Sequence, residues 1–567
     1  MQCHGDRVTA RRPVVWTPLT PQITSYPLTM NALPAEIFAD VFAQLPFRDH
    51  LAATHVCRSW REISHGHPAL LWSTFRIGGG EIGSRILHDL LVRSQHPITS
   101  QWAPVNLQFF LQYVYSFRAV PTIAEHMHHF RNLSIQSGQG HPLGHDAALK
   151  IRAAVLLKPV PLLEHLELDF TQVFDGDELN LGEDPGSILF WVPDPDWRKL
   201  DSLGDEIVPS DSSAKFTLKP WLMIPAELFA GQAPRLQSLK LMGGFAMLHD
   251  CPALANLQTL SIELGAAGVT NETDRKAVLE RSIESIARLP ALQQLTLIIP
   301  APFIMDFGVF AFKKPISRVL KEVHIIGAGD PTPLLRYLNY ERVEALGTLI
   351  YSSWMDASEW RARGTPTTLQ VTFQWDNTDD FEWRFVTADG RMWTLYSGPI
   401  EFVEIESQAI DYLSRSLTVL SVMASQLIHF SGFRFLQLQR LRIVSVIGIE
   451  WPAGGVIGVE GFTMECPTLS ELEMICFGFS EEAQITTNDV VTFVNGHLGL
   501  SKDHLQRIDL WTTGDYGMEE TAETLRAQYG TTVITMYTGI PKDIVAPRTF
   551  GSIAEAYTWP DLDPEEE

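Results

Sequence analysis

Three groups of residues have the types and spacing for chemistry. Gly78-Gly79-Gly80-Glu81-Ile82-Gly83 fits G-x-G-x-x-G, the turn that lets backbone approach a pyrophosphate at a helix N-terminus. A strand is predicted before it, over 73–77, and a helix after it, over 84–93. A dinucleotide site also needs an acidic residue about 20 positions on, to hold the ribose. No Asp or Glu lies between Asp89 and Glu125, and no buried parallel strand is predicted to follow, so the run reads as a flexible link. His126, His128 and His129 are metal-ligand types, but adjacent His128 and His129 point to different sides of either element. No cysteine or second carboxylate cluster joins them. Trp354, Trp360, Trp375, Trp383 and Trp393 crowd one stretch; they could line a ligand groove, although a β-core is the commoner use. No G-x-S-x-G, H-E-x-x-H or G-x-x-x-x-G-K-[ST] occurs, and no spacing marks a catalytic carboxylate pair. The expectation is a non-catalytic protein with no metal and no cofactor.

Whatever function exists must then reside in surfaces, and composition narrows which. The chain has 567 residues, 45% hydrophobic, and a net charge of −24. That charge argues against nucleic acid and against a polybasic membrane anchor, both of which need concentrated positive surface. No stretch reaches the roughly 18 apolar residues of a membrane span, and the N-terminal segment lacks the apolar core of a secretory signal. The cysteines (Cys3, Cys57, Cys251, Cys466 and Cys476) are odd in number, scattered and without a C-x-x-C pair, which suggests a reducing compartment. The expected location is cytoplasmic or nuclear, not secreted. Asn132-Leu133-Ser134 and Asn271-Glu272-Thr273 fit a glycosylation acceptor and are read as chance.

Residues 33–72 carry three short helical patterns. Pro34 suits a first helical turn, where a missing N–H costs nothing. Ile37, Phe38, Val41, Phe42 and Leu45 then form an apolar stripe one face wide. Pro46 ends it, Asp49 is predicted to cap a second helix with Leu51, Ala52 and Val56, and a third, 57–63, carries Trp60. Three such helices bury little surface alone, so part of the apolar set is expected to stay exposed for a partner. The plainer alternative is a small bundle packed on the next domain.

The run Leu33-Pro34-x-x-Ile37, Leu45, Asp49, Leu51, Val56-Cys57-Arg58-x-Trp60 and Leu71-Trp72 resembles an F-box. The resemblance implies docking on the Skp adaptor of a cullin–RING (SCF) ubiquitin ligase, with Leu33, Pro34, Ile37, Leu45, Pro46, Leu51, Val56, Cys57 and Trp60 forming or supporting the contact. His55 and the Pro46–Asp49 turn depart from the usual motif. The style of residues 84–136 further resembles the expanded F-box families of mushroom-forming fungi.

Beyond residue 120 the pattern apolar-x-x-apolar-x-apolar returns ten times, from Phe130-x-x-Leu133-x-Ile135 to Leu505-x-x-Ile508-x-Leu510. Each unit reads as a short strand with one buried face. The series resembles a leucine-rich repeat, which implies strands and return segments stacked into a curved solenoid. Spacing is irregular and the Asn expected after each strand is mostly absent. Between strands, 275–287 has helical apolar spacing. The intervening polar residues, Glu167, Lys240, Ser261, Thr296, His324, Ser421, Arg442, Glu473 and Asp509, would face the concave, target-binding side; the alternative is merely solvent-facing strand positions. Two steps interrupt the series. Residues 171–220 are acidic and proline-containing, and 365–387 read as a β-hairpin turning at 376–379.

The predicted fold class is α+β: a small N-terminal three-helix F-box followed by an α/β leucine-rich-repeat-like curved solenoid. The predicted layout is a flexible arm at 1–28, the F-box at 29–76, a helical linker at 77–120, the solenoid at 121–545 with insertions at 171–220 and 340–410, and an acidic tail at 546–567. The implied function is that of a substrate receptor in an SCF-type ligase, binding the Skp adaptor at one end and an unknown target protein on the repeats. The alternative is a non-ligase repeat scaffold with a vestigial F-box.

Overall fold

The computed structural model describes residues 34–45, 47–78, 81–96, 100–111, 119–137, 143–170, 173–174, 223–265, 272–299, 320–327, 332–350, 364–374, 377–397, 407–424, 427, 430–447, 462–478, 485–500, 504–512, 518–538 and 541. The predicted arm at 1–28, the acidic tail at 546–567 and nearly all of 171–220 lie outside them, as do Leu33 and Pro46.

The chain opens on helices α1 (Ala35–Ala43), α2 (Phe47–Ala53), α3 (Arg58–Gly66) and the single turn α4 (Pro68–Leu71). Pro34 precedes α1 at φ −55°, and its carbonyl accepts from the N–H groups of Ile37 and Phe38. The apolar stripe of α1 divides, with Phe38, Ala39 and Phe42 buried while Ile37 and Val41 stay exposed. Asp49 does not cap α2. That helix begins at Phe47 and holds Asp49 in its first turn, where a carboxylate still favours the positive end of the helix dipole.

Strand pairing starts earlier than the repeat pattern suggests. β1 (Thr74–Gly78) and β2 (Val105–Leu111) pair in parallel, joined through helix α5 (Glu81–Arg93). β1 matches the strand predicted ahead of the glycine run, whereas β2 falls inside the predicted helical linker. Val105, Leu107, Phe109 and Leu111 alternate along β2, and all are buried, so period-2 burial prevails over the helical reading. A buried parallel strand therefore does follow the glycine run, contrary to expectation, but it brings no acidic residue for a ribose.

The ladder continues through helix α6 (Ala119–His126) to β3 (Phe130–Ser137). A two-stranded side sheet pairs β4 (Leu143–Gly144), which leads into α7 (His145–Leu156), with β6 (Val173–Phe174). The main ladder goes on through β5 (His165–Asp169), β7 (Ser238–Phe245), β8 (Thr259–Leu264), β9 (Gln294–Ile299), β10 (Glu322–Gly327) and β11 (Ala345–Ile350). Leu166 pairs directly with Leu239, so the long step around 171–220 leaves the ladder unbroken. Helix α8 (Glu272–Ala287) occupies the segment with helical spacing and buries Val278, Leu279, Ile283 and Ile286.

Residues 340–410 do not stand apart from the ladder as an insertion would; they supply four of its strands. β12 (Pro366–Gln374), β13 (Asn377–Thr387) and β14 (Met392–Ser397) form a meander in which β14 pairs in parallel with β11. β12 pairs in parallel with β15 (Val419–Met423). β13 is antiparallel to both neighbours, which lets the chain reverse twice and rejoin the parallel series. Gln374 pairs with Asn377, so β13 already begins within the predicted turn at 376–379, and residues 375–376 lie outside the described residues. Trp383 and Trp393 are buried, the core use of this tryptophan-rich stretch; Trp354, Trp360 and Trp375 lie outside the described residues. Parallel strands β16 (Arg440–Ile447), β17 (Glu471–Gly478), β18 (Arg507–Thr512) and β19 (Val533–Thr538) complete a sheet that has seventeen strands among the described residues.

Register keeps the apolar pairs aligned. Leu107, Leu133, Leu166, Leu239, Leu260, Leu295 and Val323 follow one another across the ladder, as do Leu420, Leu441, Leu472 and Ile508 after the meander. All are buried in one continuous core. At about 1.5–3 kcal/mol for each fully buried aliphatic side chain, this row contributes substantially to the core it belongs to.

One position in the ladder admits no side chain. A Cβ on Gly347 would lie 2.1 Å from Nδ1 of His324, its cross-strand neighbour. Replacing Gly347 by Ala therefore forces the buried imidazole out of place. The expected cost is about 1–3 kcal/mol of stability, the usual range for overpacking, read as a lower urea midpoint. An unchanged midpoint would show that the ring yields freely.

Candidate functional site

Two surfaces have the makings of interfaces. The first lies on the N-terminal helices. Phe38 and Phe42 of α1 meet Trp60 of α3 at ring separations of 5.9 and 5.2 Å, so Trp60 forms the floor of this module and Leu45 and Leu51 pack beside it. Trp72 seats the module on the start of the ladder. Its Nε1 donates to the carbonyl and hydroxyl oxygens of Ser64 at 3.1 and 3.0 Å, the His50 ring lies 4.7 Å away, and the Arg93 guanidinium sits over its face at 4.9 Å. Arg93 is the last residue of α5, so a cation–π contact ties the module to the first strand–helix unit.

With the inward residues used this way, the outward face of α1 is left as an exposed apolar strip, and further apolar residues of the module are exposed beside other elements. Ile37 is 46% exposed, Val41 51% and Val56 63%, with Pro34 and Cys57 also exposed. Isolated exposed aliphatics are ordinary, but two of these lie one turn apart on α1 and share a face. Of the nine residues the sequence suggests for this contact, Pro34, Ile37, Val56 and Cys57 are on the surface. Leu45, Leu51 and Trp60 support from behind, and Leu33 and Pro46 lie outside the described residues. Val41, which completes the strip, is absent from the sequence-based set; its i, i+4 spacing from Ile37 was the available signal.

The second surface is a row of polar side chains between the apolar anchors. The register runs Arg76, Gln108, Ser134, Glu167, Lys240, Ser261, Thr296, His324, Gly347, Thr394, Arg384, Gln370, Ser421, Arg442, Glu473, Asp509 and Thr535, one residue per strand. All nine predicted positions belong to this one row, and only Gly347 interrupts its polarity. The members from β1, β2, β11, β12, β13, β14 and β19 are not among the predicted positions, because those strands lie outside the ten-unit series; Ser134 of β3 lies within that series and is not among them either. Within the row Lys240, Ser261 and Thr296 are half-buried, whereas Glu167, His324, Ser421, Arg442, Glu473 and Asp509 are buried.

Burial of charge demands pairing, and the pairs are present. The carboxylate of Glu167, 0% exposed, accepts from Ser134 Oγ at 2.7 Å and Gln136 Nε2 at 3.0 Å, and it meets Lys240 Nζ at 2.8 Å. Glu473 takes a two-point contact from Arg442, Nε at 2.8 Å and Nη2 at 3.2 Å, with Arg440 Nη2 also at 2.8 Å. Arg507 pairs with Asp509 at 2.7 Å. Asn132 donates to Asn106, which donates to Thr74; a side chain so engaged and buried is no glycosylation acceptor. His324 donates to Glu322 at 2.6 Å, and that hydrogen bond holds the Glu322 carboxyl below its ordinary range. Ser421 Oγ and Asp509 Oδ1 are buried without a hydrogen-bond partner.

Burial raises the thiols of Cys251 to about 11 and of Cys466 and Cys476 to about 12, which makes them poor nucleophiles. Among the described residues no helix is long and apolar enough to cross a membrane. Residues 30–77 match the F-box-like family model, which covers the N-terminal helices and β1 and supports an F-box protein. No curated protein matches the chain.

The buried His50 of this module has its pKa lowered to about 4, by burial first and by the charge of Arg93 second. The unfolded chain binds the proton near pH 6.5 while the folded one stays neutral. The stability that results is fully present above pH 6.5, is lost as pH falls from there towards 4, and levels off below. Thermal denaturation should therefore show a lower Tm at pH 5 than at pH 7, with a shallower fall in His50→Gln. An equal fall in both proteins would remove His50 as a cause.

Proposed function

We propose that this protein is the substrate-recognition subunit of an SCF-type cullin–RING ubiquitin ligase. In this reading residues 30–77 bind the Skp adaptor and the strand ladder, as a leucine-rich-repeat-like curved solenoid, binds a target protein. The observation that carries the reading is the exposure of the apolar residues Pro34, Ile37, Val41 and Val56 on a module that matches the F-box-like family. Adaptor binding would cover side chains that the fold leaves in water, at about 25 cal/mol per Å² of apolar area removed.

The catalytic power would belong to partners. Holding target and ubiquitin-charged enzyme in one complex raises their effective concentration, and transfer becomes nearly intramolecular. The chain then acts without a nucleophile or cofactor of its own. Target contacts would come from the half-buried Lys240, Ser261 and Thr296 and from partly exposed row neighbours such as Glu322 and Arg440. The buried pairs at Glu167 and Glu473 would fix the shape of that face. Work of this kind places the protein in the cytoplasm or nucleus.

The test is a pull-down of the full chain with purified Skp adaptor, beside Ile37→Asp and Val41→Asp. Both positions are exposed, so circular dichroism should be unchanged while binding weakens about 30-fold or more, the effect of losing a hot spot of about 2 kcal/mol. If the intact chain fails to bind, the ligase reading falls and a non-ligase repeat scaffold takes its place.

A further inference from the structure

Helices α5 and α6 precede β2 and β3 and pack against each other. His88 is on the exposed side of α5, and Glu125 and His126 are the last two residues of α6. One ring nitrogen from each histidine and one carboxylate oxygen of Glu125 all lie within 4.8 Å of one another. The two imidazoles stand edge to face at 5.7 Å, and Trp102 closes on His126 at 5.2 Å. His126 is 5% exposed, and its Nδ1 has no hydrogen-bond partner. A buried imidazole nitrogen without a partner is uncommon in a folded protein, and a missing ligand is one of its recognised causes.

The histidines that first suggest a metal from sequence are otherwise engaged. His128 Nδ1 lies 3.0 Å from the Glu125 carbonyl oxygen, and its Nε2 lies 3.4 Å from His129 Nδ1. His129 Nε2 faces Ser94 Oγ at 3.4 Å, with its ring stacked on Trp102. Only His126 of that run is left to act with residues from elsewhere. Spacing in the sequence could not point to this grouping, because His88 lies on another helix.

We propose that His88, Glu125 and His126 bind one divalent transition-metal ion, with Zn²⁺ the best match to two imidazoles and a carboxylate. Metal–ligand bonds of about 2.0–2.2 Å put tetrahedral ligand atoms about 3.4 Å apart, so atoms that lie within 4.8 Å of one another need draw together by no more than about 1.4 Å. His88 and Glu125 are exposed side chains and can make that movement, while His126 stays fixed. Three protein ligands leave a fourth position for water. The bound ion fastens α5 to α6 and thereby stiffens the first turns of the ladder beside the adaptor-facing helices.

The test uses the full chain stripped of metal with chelator and titrated with Zn²⁺ against a competing chromophoric chelator. Tm is followed in parallel, and Co²⁺ serves as a spectroscopic substitute. The expected result is one Zn²⁺ per chain, a raised Tm and a four-coordinate Co²⁺ spectrum. His88→Ala and Glu125→Gln, both at exposed positions, should each weaken Zn²⁺ by more than about tenfold, whereas His128→Ala should bind as the parent does. Absence of stoichiometric binding overturns the proposal. So does wild-type affinity in both His88→Ala and Glu125→Gln, which would place the ion elsewhere among the 18 histidines of the chain. Loss confined to His128→Ala likewise overturns it, by moving the ion to the 126–129 run.

Discussion

Everything in this molecule depends on keeping strands in phase. Side chains on a strand alternate between faces, so a slip of one residue would turn every anchor out of the core and every polar residue into it. The register avoids this for every strand of the main sheet, from Phe75 opposite Leu107 at one end to Leu510 opposite Met536 at the other. The meander tests the rule hardest, because β13 runs against its neighbours. It still presents Phe385 opposite Leu369 and Trp393, all three buried. Reversal of chain direction leaves the choice of face unchanged, and the core passes through without a seam.

Trp72 shows how the helical module and the ladder become one body. It closes the helical segment, and it also begins the unit Trp72-x-x-Phe75-x-Ile77, the same anchor spacing that recurs along the chain. Its indole is fully buried, hydrogen-bonded to Ser64 on the module side and covered by Arg93 on the ladder side. One side chain serves both cores, so no flexible residues separate them. A rigid junction suits the proposed role, in which two partners would be held at a set distance, because a floppy linker would dilute the effective concentration on which such a device relies.

How much of this was legible in the sequence depends on the first anchor of each unit. Where an apolar residue fills it, as at Leu163, Leu236, Leu257, Leu417 and Leu469, the strand could be read directly. The missed strands have Pro104, Gly390 or Thr531 at that place, or Thr348 at the last. Proline there is physically sound, since the position precedes or opens the strand and needs no ladder N–H. The polar row was legible as positions but not as an environment. Nothing local distinguishes Glu167, buried under three donors, from Ser261, half-buried, because the difference is made by residues brought in from neighbouring strands. His88 beside Glu125 and His126 is the same case: proximity created by packing leaves no trace in spacing.

The buried charges explain why a polar row can be part of a stable fold and still suit recognition. A carboxylate such as Glu473 gains little net stability from its arginines once desolvation is counted, yet losing one partner would strand a charge in the interior. Such pairs therefore act as constraints: Arg440 and Arg442 of β16 grip Glu473 of β17 at 2.8 to 3.2 Å and hold the two strands in one arrangement. Half-buried neighbours such as Lys240 and Thr296 then stand on a constrained floor, and in the proposed role their side chains would lose less freedom when a target arrives. Pre-organisation of that kind favours affinity without added contact area. Because the residue in the row changes from strand to strand, the same floor carries a different side chain at each step of about 4.8 Å, the spacing between hydrogen-bonded strands, with Gly347 the one non-polar step. A surface built so is suited to reading one irregular protein face rather than a repeating one.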